Sequence, residues 1–186
     1  MAIDDLIQDA TRRMDKSVEA AQAEFATLRT GRASPALLDR VQIDYYGQKT
    51  PLKQLATINA PEPRMLTVQP FDPNSLGSIE RAIQESDLGL TPSNDGKLIR
   101  LPIPQLTEER RKELVKVVRG MAEDGRVAVR NVRRDVMHHL KELVDKGEVG
   151  SDEEHRAEDR VQKLTDERTH KIDELLKRKE AEILEV

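Results

Sequence analysis

Apolar residues recur at steps of three and four positions over three long stretches of this chain, which is the spacing of one face of an α-helix. The first stretch stops near Gly31 and is followed by Pro35. The second begins after Pro104, and the third follows a break at residues 147–150. None of these helices can bury its apolar face alone. The pattern therefore predicts an elongated bundle of three antiparallel helices.

The apolar seam of each helix can be read directly from the sequence. The first seam consists of Ile3, Leu6, Ala10, Met14, Val18, Ala21, Phe25 and Leu28. The second consists of Leu114, Val118, Met121, Gly125, Val129, Val132, Val136, Leu140 and Leu143. The third consists of Val161, Leu164, Ile172, Leu175 and Ile183. Thr107 suits the N-cap of the second helix, and Ser151 to Glu154 has the sequence of a capping box for the third.

The segment between the first and second helices has a different composition, since it holds all nine prolines of the chain. Short runs that favour strands occur at residues 41–45, 56–59, 65–69 and 98–101. Tyr46-Gly47-Gln48 predicts a hairpin turn, and a helix fits between Ser75 and Ser86. We therefore expect a small α+β domain inserted into the helical bundle, which makes the fold class of the whole chain α+β.

These predictions divide the chain into a bundle of residues 1–30 and 106–186 and an insertion of residues 31–105. The insertion is joined to the bundle at two crossings, so a double linker connects the two parts. Little besides Gly31 is expected to pack there, and the linker is predicted to act as a hinge. The hinge residues are Thr30, Gly31, Arg32, Ala33, Pro102, Ile103, Pro104 and Gln105.

Eight basic side chains of the second helix fall within an arc of roughly 100°. They form the basic stripe: Lys112, Lys116, Arg119, Arg126, Arg130, Arg133, Arg134 and Lys141. Only Glu123 intrudes on this arc, although the whole chain has a net charge of −4. Phosphate groups, and therefore RNA, are a common partner of such a surface. A solvated face that makes ion pairs with acids of the neighbouring helices is the alternative.

Several functional classes lack their sequence signatures. The chain has no cysteine, no phosphate-binding glycine loop and no zinc-protease motif. His138 and His139 diverge by about 100° on a helix, so they suit no shared metal. We expect no catalytic residue, no metal site and no cofactor, so the chain is predicted not to be an enzyme. Neither a signal peptide nor a membrane span is visible, and a cytoplasmic location is expected.

Five blocks of residues along the chain together resemble the bacterial ribosome recycling factor family. They are LRTGRASPALL at 28–38, YYG at 45–47, LTEERRK at 106–112, RVAVRNVRRD at 126–135 and VQKLTD at 161–166. The resemblance implies a three-helix bundle interrupted by a small β/α/β sandwich domain, L-shaped overall. It implies a translation factor that binds the 70S ribosome after peptide release. Together with elongation factor G, which uses the GTP, it splits the ribosome into subunits so that these, mRNA and deacylated tRNA are recycled.

The resemblance also implies which residues bind RNA of the large ribosomal subunit. By position, Arg29, Arg32, Arg130 and Arg133 are the best candidates. The basic stripe adds further candidates, namely Lys112, Lys116, Arg119, Arg126 and Arg134. The small domain is expected to supply much of the contact with elongation factor G.

Two other functional classes stay open on the residues alone. The first is a coiled-coil interaction protein, which would leave an apolar seam exposed and form oligomers through it. The second is an RNA-processing enzyme, which is disfavoured because no metal cluster or acid–base constellation is visible. For a recycling factor we expect a monomer instead.

Overall fold

The computed structural model describes residues 2–185. The chain divides into two compact units. The helical unit takes the described residues of Met1–Leu28 and Lys112–Val186, and the small unit is Arg29–Arg111. The long helices are α1 (Ala2–Ala26), α3 (Glu108–Asp145) and α4 (Ser151–Leu184), whereas the shorter α2 (Leu76–Glu85) belongs to the small unit.

Helices α1 and α4 run in the same direction. Arg160 of α4 pairs with Asp4 of α1 at 3.2 Å, and Arg168 pairs with Asp15 at 2.8 Å. Residue numbers therefore increase together along the two helices. The side chain of Arg168 is only 18% exposed, so this ion pair lies at the edge of the bundle core rather than in open solvent.

Helix α3 runs antiparallel to both of its neighbours. Arg119 pairs with Glu180 of α4 at 2.7 Å, and Arg126 pairs with Asp173 at 2.6 Å, so the residue numbers of α3 and α4 change in opposite directions. Since α1 runs parallel to α4, consecutive long helices alternate in direction, as the sequence predicted.

The predicted seams supply most of the bundle core, with local corrections. Buried members of the three seams are Ala10, Met14, Val18, Ala21, Phe25, Leu114, Val118, Gly125, Val129, Val132, Val136, Leu140, Val161, Ile172 and Ile183. In α1, however, Ile7 is buried and Leu6 only half-buried. In α4, Ala157 and Thr165 are also buried. The hydroxyl of Thr165 donates to the carbonyl of Val161 at 2.8 Å, which makes its burial inexpensive.

Gly125 lies at a close approach of the three helices. A Cβ atom added there would lie 3.1 Å from the Cβ of Ala21 and 3.2 Å from the Cδ1 of Ile172. These distances are shorter than ordinary van der Waals contacts. The missing side chain therefore lets α3 approach α1 and α4 together.

The small unit consists of two antiparallel sheets and α2. Strands β1 (Gln42–Tyr45) and β2 (Gln48–Pro51) form a hairpin. The second sheet has the order β3-β4-β6-β5, and its strands are β3 (Ala56–Glu62), β4 (Met65–Pro70), β5 (Ser93–Asn94) and β6 (Ile99–Pro102). Short 3₁₀ helices occur at Pro35–Leu38, Leu52–Gln54 and Pro73–Ser75.

The two sheets and α2 share one apolar core. Ile43 of β1, Leu66 of β4, Ile79 of α2 and Ile99 of β6 are all completely buried. This core confirms the predicted fold class, a helical bundle with a small α/β sandwich inserted between its first two helices.

The ends of the long helices test the predicted caps. The backbone N–H of Arg110 donates to the Oγ1 of Thr107 at 3.1 Å, so Thr107 caps α3 as predicted. The capping box at Ser151 is wrong, because the N-cap of α4 is Gly150 and has no side-chain hydrogen bond. Ser151 is instead the first helical residue, and acidic side chains of the first turn favour the positive end of the helix dipole.

Both predicted crossings are anchored inside the small unit. The N–H of Ala33 donates to the carbonyl of Pro63 at 2.6 Å, and the N–H of Ile103 donates to the carbonyl of Arg64 at 2.8 Å. Ala33, Ile103 and Thr30 are also buried. The expectation that little besides Gly31 would pack there is therefore wrong, because neighbouring carbonyls of the β3–β4 turn hold both crossings.

Two glycines of α3 provide a matched test of the close helix packing. Gly120 is exposed, with nothing within 4 Å of an added Cβ. Gly120→Ala should raise the free energy of unfolding by about 0.5–1 kcal/mol, because alanine favours the helix more than glycine does. Gly125→Ala gains the same helix propensity, but its Cβ crowds the Cβ of Ala21. Rotation of a side chain cannot relieve this contact, because a Cβ is fixed to the backbone. It should therefore be about 1–3 kcal/mol less stable than Gly120→Ala.

Urea denaturation followed by far-ultraviolet circular dichroism measures both variants. Equal stabilisation by the two substitutions would contradict the close approach of the three helices at Gly125.

Candidate nucleic-acid interface

The basic stripe lies on the side of α3 away from its buried seam. Six of its residues are exposed and two half-buried. The exposed residues are Lys112, Lys116, Arg119, Arg130, Arg134 and Lys141, and the half-buried ones are Arg126 and Arg133. The stripe is therefore open along most of its length and adjoins the bundle where Arg126 and Arg133 lie.

Acids of α4 engage one flank of the stripe. Asp173 accepts a hydrogen bond from the Nη1 of Arg126 at 2.6 Å, and Glu180 accepts one from the Nε of Arg119 at 2.7 Å. These contacts agree with the alternative in which charged residues of neighbouring helices form ion pairs. They concern only the edge of the stripe that faces α4.

Glu123 joins two arginines within the stripe. Its Oε1 lies 2.6 Å from the Nη2 of Arg130, and its Oε2 lies 3.0 Å from the Nε of Arg126. The hydrogen bonds from Arg130 and then Arg126 hold the pKa of Glu123 below its usual value. Burial acts to lower the pKa of Arg126, but its hydrogen bonds to Glu123 and Asp173 outweigh burial and raise it. Both groups are therefore fully charged near neutral pH.

The other members of the stripe make no ion pair within residues 2–185. The set is Lys112, Lys116, Arg133, Arg134 and Lys141. In Arg133 the Nε atom is also shielded from solvent and has no hydrogen-bond partner among the described residues. The stripe thus combines paired arginines with cations whose charge is available to a ligand.

Asp135 follows the two arginines at 133 and 134 in sequence but does not neutralise them. The Nη2 of Arg13 in α1 donates to its Oδ2 at 2.7 Å. That hydrogen bond, more than any other interaction, lowers the pKa of Asp135. Asp135 therefore pairs with α1 and does not neutralise the arginines of the stripe.

Arg29 and Arg32 belong to the small unit. Both are exposed. The guanidinium of Arg29 donates to the carbonyls of Leu88 at 2.5 Å and Asp87 at 3.2 Å. Arg29 therefore ties the start of the small unit to the segment after α2, a structural role that sequence reasoning missed because the two segments are 58 residues or more apart.

Gly31 adopts a backbone conformation that disfavours other residues. Its φ angle is +77°, and an added Cβ would lie 3.2 Å from the Cγ of Leu106. Gly31 is one of the predicted hinge residues. Within the small unit it borders a cavity of about 170 Å³ that is lined mainly by apolar side chains, including Leu88 and Ile103.

A larger cavity of about 760 Å³ lies between the β1–β2 hairpin and α2. Its lining mixes basic residues such as Arg40 and Arg81 with acidic residues such as Asp44 and Glu85. Because residues of both charges line it, the cavity does not match the single sign of charge that a phosphate site requires.

Two aromatic side chains of the small unit are highly exposed. Tyr46 is 82% exposed and Phe71 is 66% exposed. The ring of Tyr45 lies 4.6 Å from that of Tyr46, and its hydroxyl donates to the Oδ2 of Asp72 at 3.4 Å. Tyr46 occupies the turn with φ +49°, which is unusual for a bulky residue. The sequence predicted a hairpin turn here, and the structure agrees.

Within residues 2–185, no three side chains of the metal-ligating types lie close enough to hold an ion. In the same part of the chain, no helix has the length and apolar character needed to span a membrane.

Comparisons with known proteins agree with the resemblance drawn from the five sequence blocks. The profile of the family described as "Ribosome recycling factor" matches residues 21–184. A ribosome-recycling factor of Rubrobacter xylanophilus is 60% identical over 180 residues, which cover 97% of this chain and 97% of that protein.

Solved structures give the same result. A "solution structure of the ribosome recycling factor" has a TM-score of 0.81 at 43% identity and covers 100% of this chain and 99% of its own. A second structure has a TM-score of 0.70 at 50% identity and covers 99% and 100%. It is described as models for the T. thermophilus ribosome recycling factor and the E. coli elongation factor G bound to the E. coli post-termination complex. The suspected family is thus confirmed, and this chain belongs to the ribosome recycling factor family.

Proposed function

We propose that this protein splits post-termination ribosomes into subunits together with elongation factor G and GTP. The observation that carries the proposal is the match over nearly the whole chain to a family with a member described as bound, with elongation factor G, to a post-termination complex. Subunits, mRNA and deacylated tRNA would then be free for another round of translation. The protein would act in the cytoplasm as a monomer.

RNA of the large ribosomal subunit is the proposed ligand of the basic stripe. Lys112, Lys116, Arg133 and Arg134 support it most directly, because the structure gives them no acidic partner within residues 2–185. Arginine suits phosphate because its planar guanidinium donates two parallel hydrogen bonds. Contacts of this kind read the backbone and shape of RNA rather than base sequence.

Force in this mechanism would come from the partner protein. The chain would perform no chemical step, so elongation factor G would bind and hydrolyse the GTP. The helical unit would serve as an arm held on RNA by phosphate contacts. The small unit would receive much of the push, and its exposed Tyr46 and Phe71 offer an apolar surface for that protein contact.

A hinge at the two crossings is part of this proposal. Gly31 has the positive φ that glycine adopts most readily, and it lies in the crossing that leaves α1. Ala33 and Ile103 are fixed to the small unit by backbone hydrogen bonds. A change in backbone angles would therefore be expected beyond these anchors, on the side toward the long helices.

The alternative of a coiled-coil interaction protein has less support. It requires an apolar seam that is free to bind another helix. The long helices bury their seams against one another, and exposed apolar residues such as Val117, Val127 and Leu184 do not continue those seams. The structure therefore lacks, within residues 2–185, the surface on which this function depends.

Subunit splitting tests the proposal directly. Post-termination ribosomes are mixed with the protein, elongation factor G and GTP, and light scattering reports dissociation. Splitting should require all three components. Ribosome binding that depends on salt but never leads to splitting would leave an RNA-binding protein and refute the recycling role.

Arg133→Ala tests the RNA-binding face. The substitution should weaken ribosome binding by about 1–3 kcal/mol, because it removes one charge-assisted contact with phosphate. Ribosome pelleting at fixed salt gives the affinity. Arg12→Ala is the matched control, since Arg12 lies on α1 and its side chain is 69% exposed. Unchanged affinity for Arg133→Ala, or an equal loss in both variants, would contradict the assignment.

Gly31→Ala tests the hinge. A Cβ at φ +77° costs about 1–2 kcal/mol and also crowds Leu106, so the crossing should become less able to change conformation. Splitting should slow while ribosome affinity stays unchanged. Gly89→Ala is the control, because Gly89 has φ +65° and nothing within 4 Å of an added Cβ. A parallel loss of binding and splitting in Gly31→Ala would argue against a hinge.

A further inference from the structure

Glu123 is the one acid that lies within the arc of the basic stripe. It sits three residues before Arg126 and seven before Arg130, so all three side chains project from nearly the same side of α3 over two turns. Its two carboxylate oxygens accept hydrogen bonds from the two arginines, at 2.6 Å from Arg130 and 3.0 Å from Arg126. One acid therefore occupies two cations of the proposed RNA-binding surface.

The carboxylate occupies the position that a phosphate would take. Carboxylate and phosphate oxygens bind guanidinium groups with the same geometry and at similar distances. The side chains of Glu123 and Arg130 are 50% and 44% exposed, so a ligand in solvent has access to this pair. A phosphate on Arg130 would lie within a few ångströms of Glu123, and two anions so close repel each other.

The two arginines differ in the ion pairs that would remain if a phosphate displaced Glu123. Arg126 also pairs with Asp173 and its side chain is only 20% exposed, so it stays held by α4. Arg130 has Glu123 as its single ion-pair partner within residues 2–185. Arg130 is therefore the arginine that can exchange an internal carboxylate for an external phosphate, with Glu123 left on Arg126.

We propose that Glu123 competes with RNA phosphate groups for Arg130 and thereby limits how tightly the basic stripe holds RNA. The inference rests on the proposed function, and it adds a residue that sets the lifetime of the complex. A recycling factor must leave the ribosome after each round. An internal competitor speeds release because the carboxylate is already in place to take back Arg130 as the phosphate departs.

Glu123→Gln is the decisive substitution because it removes the charge and keeps an oxygen that accepts a hydrogen bond from arginine. Asp124→Asn is the matched control. Asp124 is the next residue, is exposed, and points about 100° further around α3, so the net charge changes equally on another face. Circular dichroism establishes that both variants fold. Fluorescence anisotropy of labelled protein with purified large ribosomal subunits then gives the affinity at several salt concentrations.

Glu123→Gln should bind about two- to fivefold more tightly near 0.1 M salt, the size expected for an exposed charge pair. The slope of log affinity against log salt should steepen by about 0.5–1, because one more phosphate is neutralised by the protein. Asp124→Asn should change neither quantity. In an Arg130→Gln background, the effect of Glu123→Gln should shrink.

Three outcomes would overturn the inference. Unchanged affinity of Glu123→Gln would mean that no phosphate competes at Arg130. Weaker binding would mean that Glu123 holds the arginines in their binding geometry. An equal rise in affinity for Glu123→Gln and Asp124→Asn would mean that only the net charge of the protein matters. If the unsubstituted protein failed to bind large subunits at all, the proposed function itself would fall, which separates the two failures.

Discussion

The close approach of the three long helices at Gly125 is the constraint on which the helical unit depends. Ala21 and Ile172 lie where a side chain at that position would be, so α3 can pack against α1 and α4 together. This packing buries the seam of α3 and leaves the opposite side of the same helix free for charge. A rigid helix then holds its cations at fixed spacing, which a loop of the same composition would not do.

The net charge of the chain does not describe the stripe, because basic and acidic residues are concentrated on different helices. The acids of α4 engage Arg119 and Arg126 at one edge of the stripe, while residues further around α3 keep their charge available. Surface pairs of this kind contribute little to stability. Their larger consequence is that fewer cations remain unpaired, so the proposed RNA-binding face is smaller than the eight residues of the sequence pattern suggest.

The fold could be predicted from the sequence where the apolar periodicity is strong. It could not be predicted where the structure depends on contacts between segments that are distant in sequence. The seams of the long helices follow from a spacing of three and four residues, whereas β2 is short, polar and ends in Pro51, so it carries no strand signal. The pairing of Arg126 with Asp173 depends on which face of α4 packs beside α3. The sequence of α3 alone does not determine this. The anchoring of Ala33 and Ile103 is set by backbone carbonyls, which residue identity does not reveal.

The ion pairs within the stripe suit the reversible binding of RNA that we propose. A protein that had to hold RNA permanently would gain from an unbroken row of unpaired arginines. Here the carboxylate of Glu123 lies inside the row and within hydrogen-bond distance of two of them. In the free protein, two arginines of the stripe are therefore already hydrogen-bonded to a carboxylate. Binding of phosphate would replace these bonds, so the free energy gained on binding would be smaller. Under the proposed function this lowers the affinity for RNA, which would suit a factor that leaves the ribosome in every cycle.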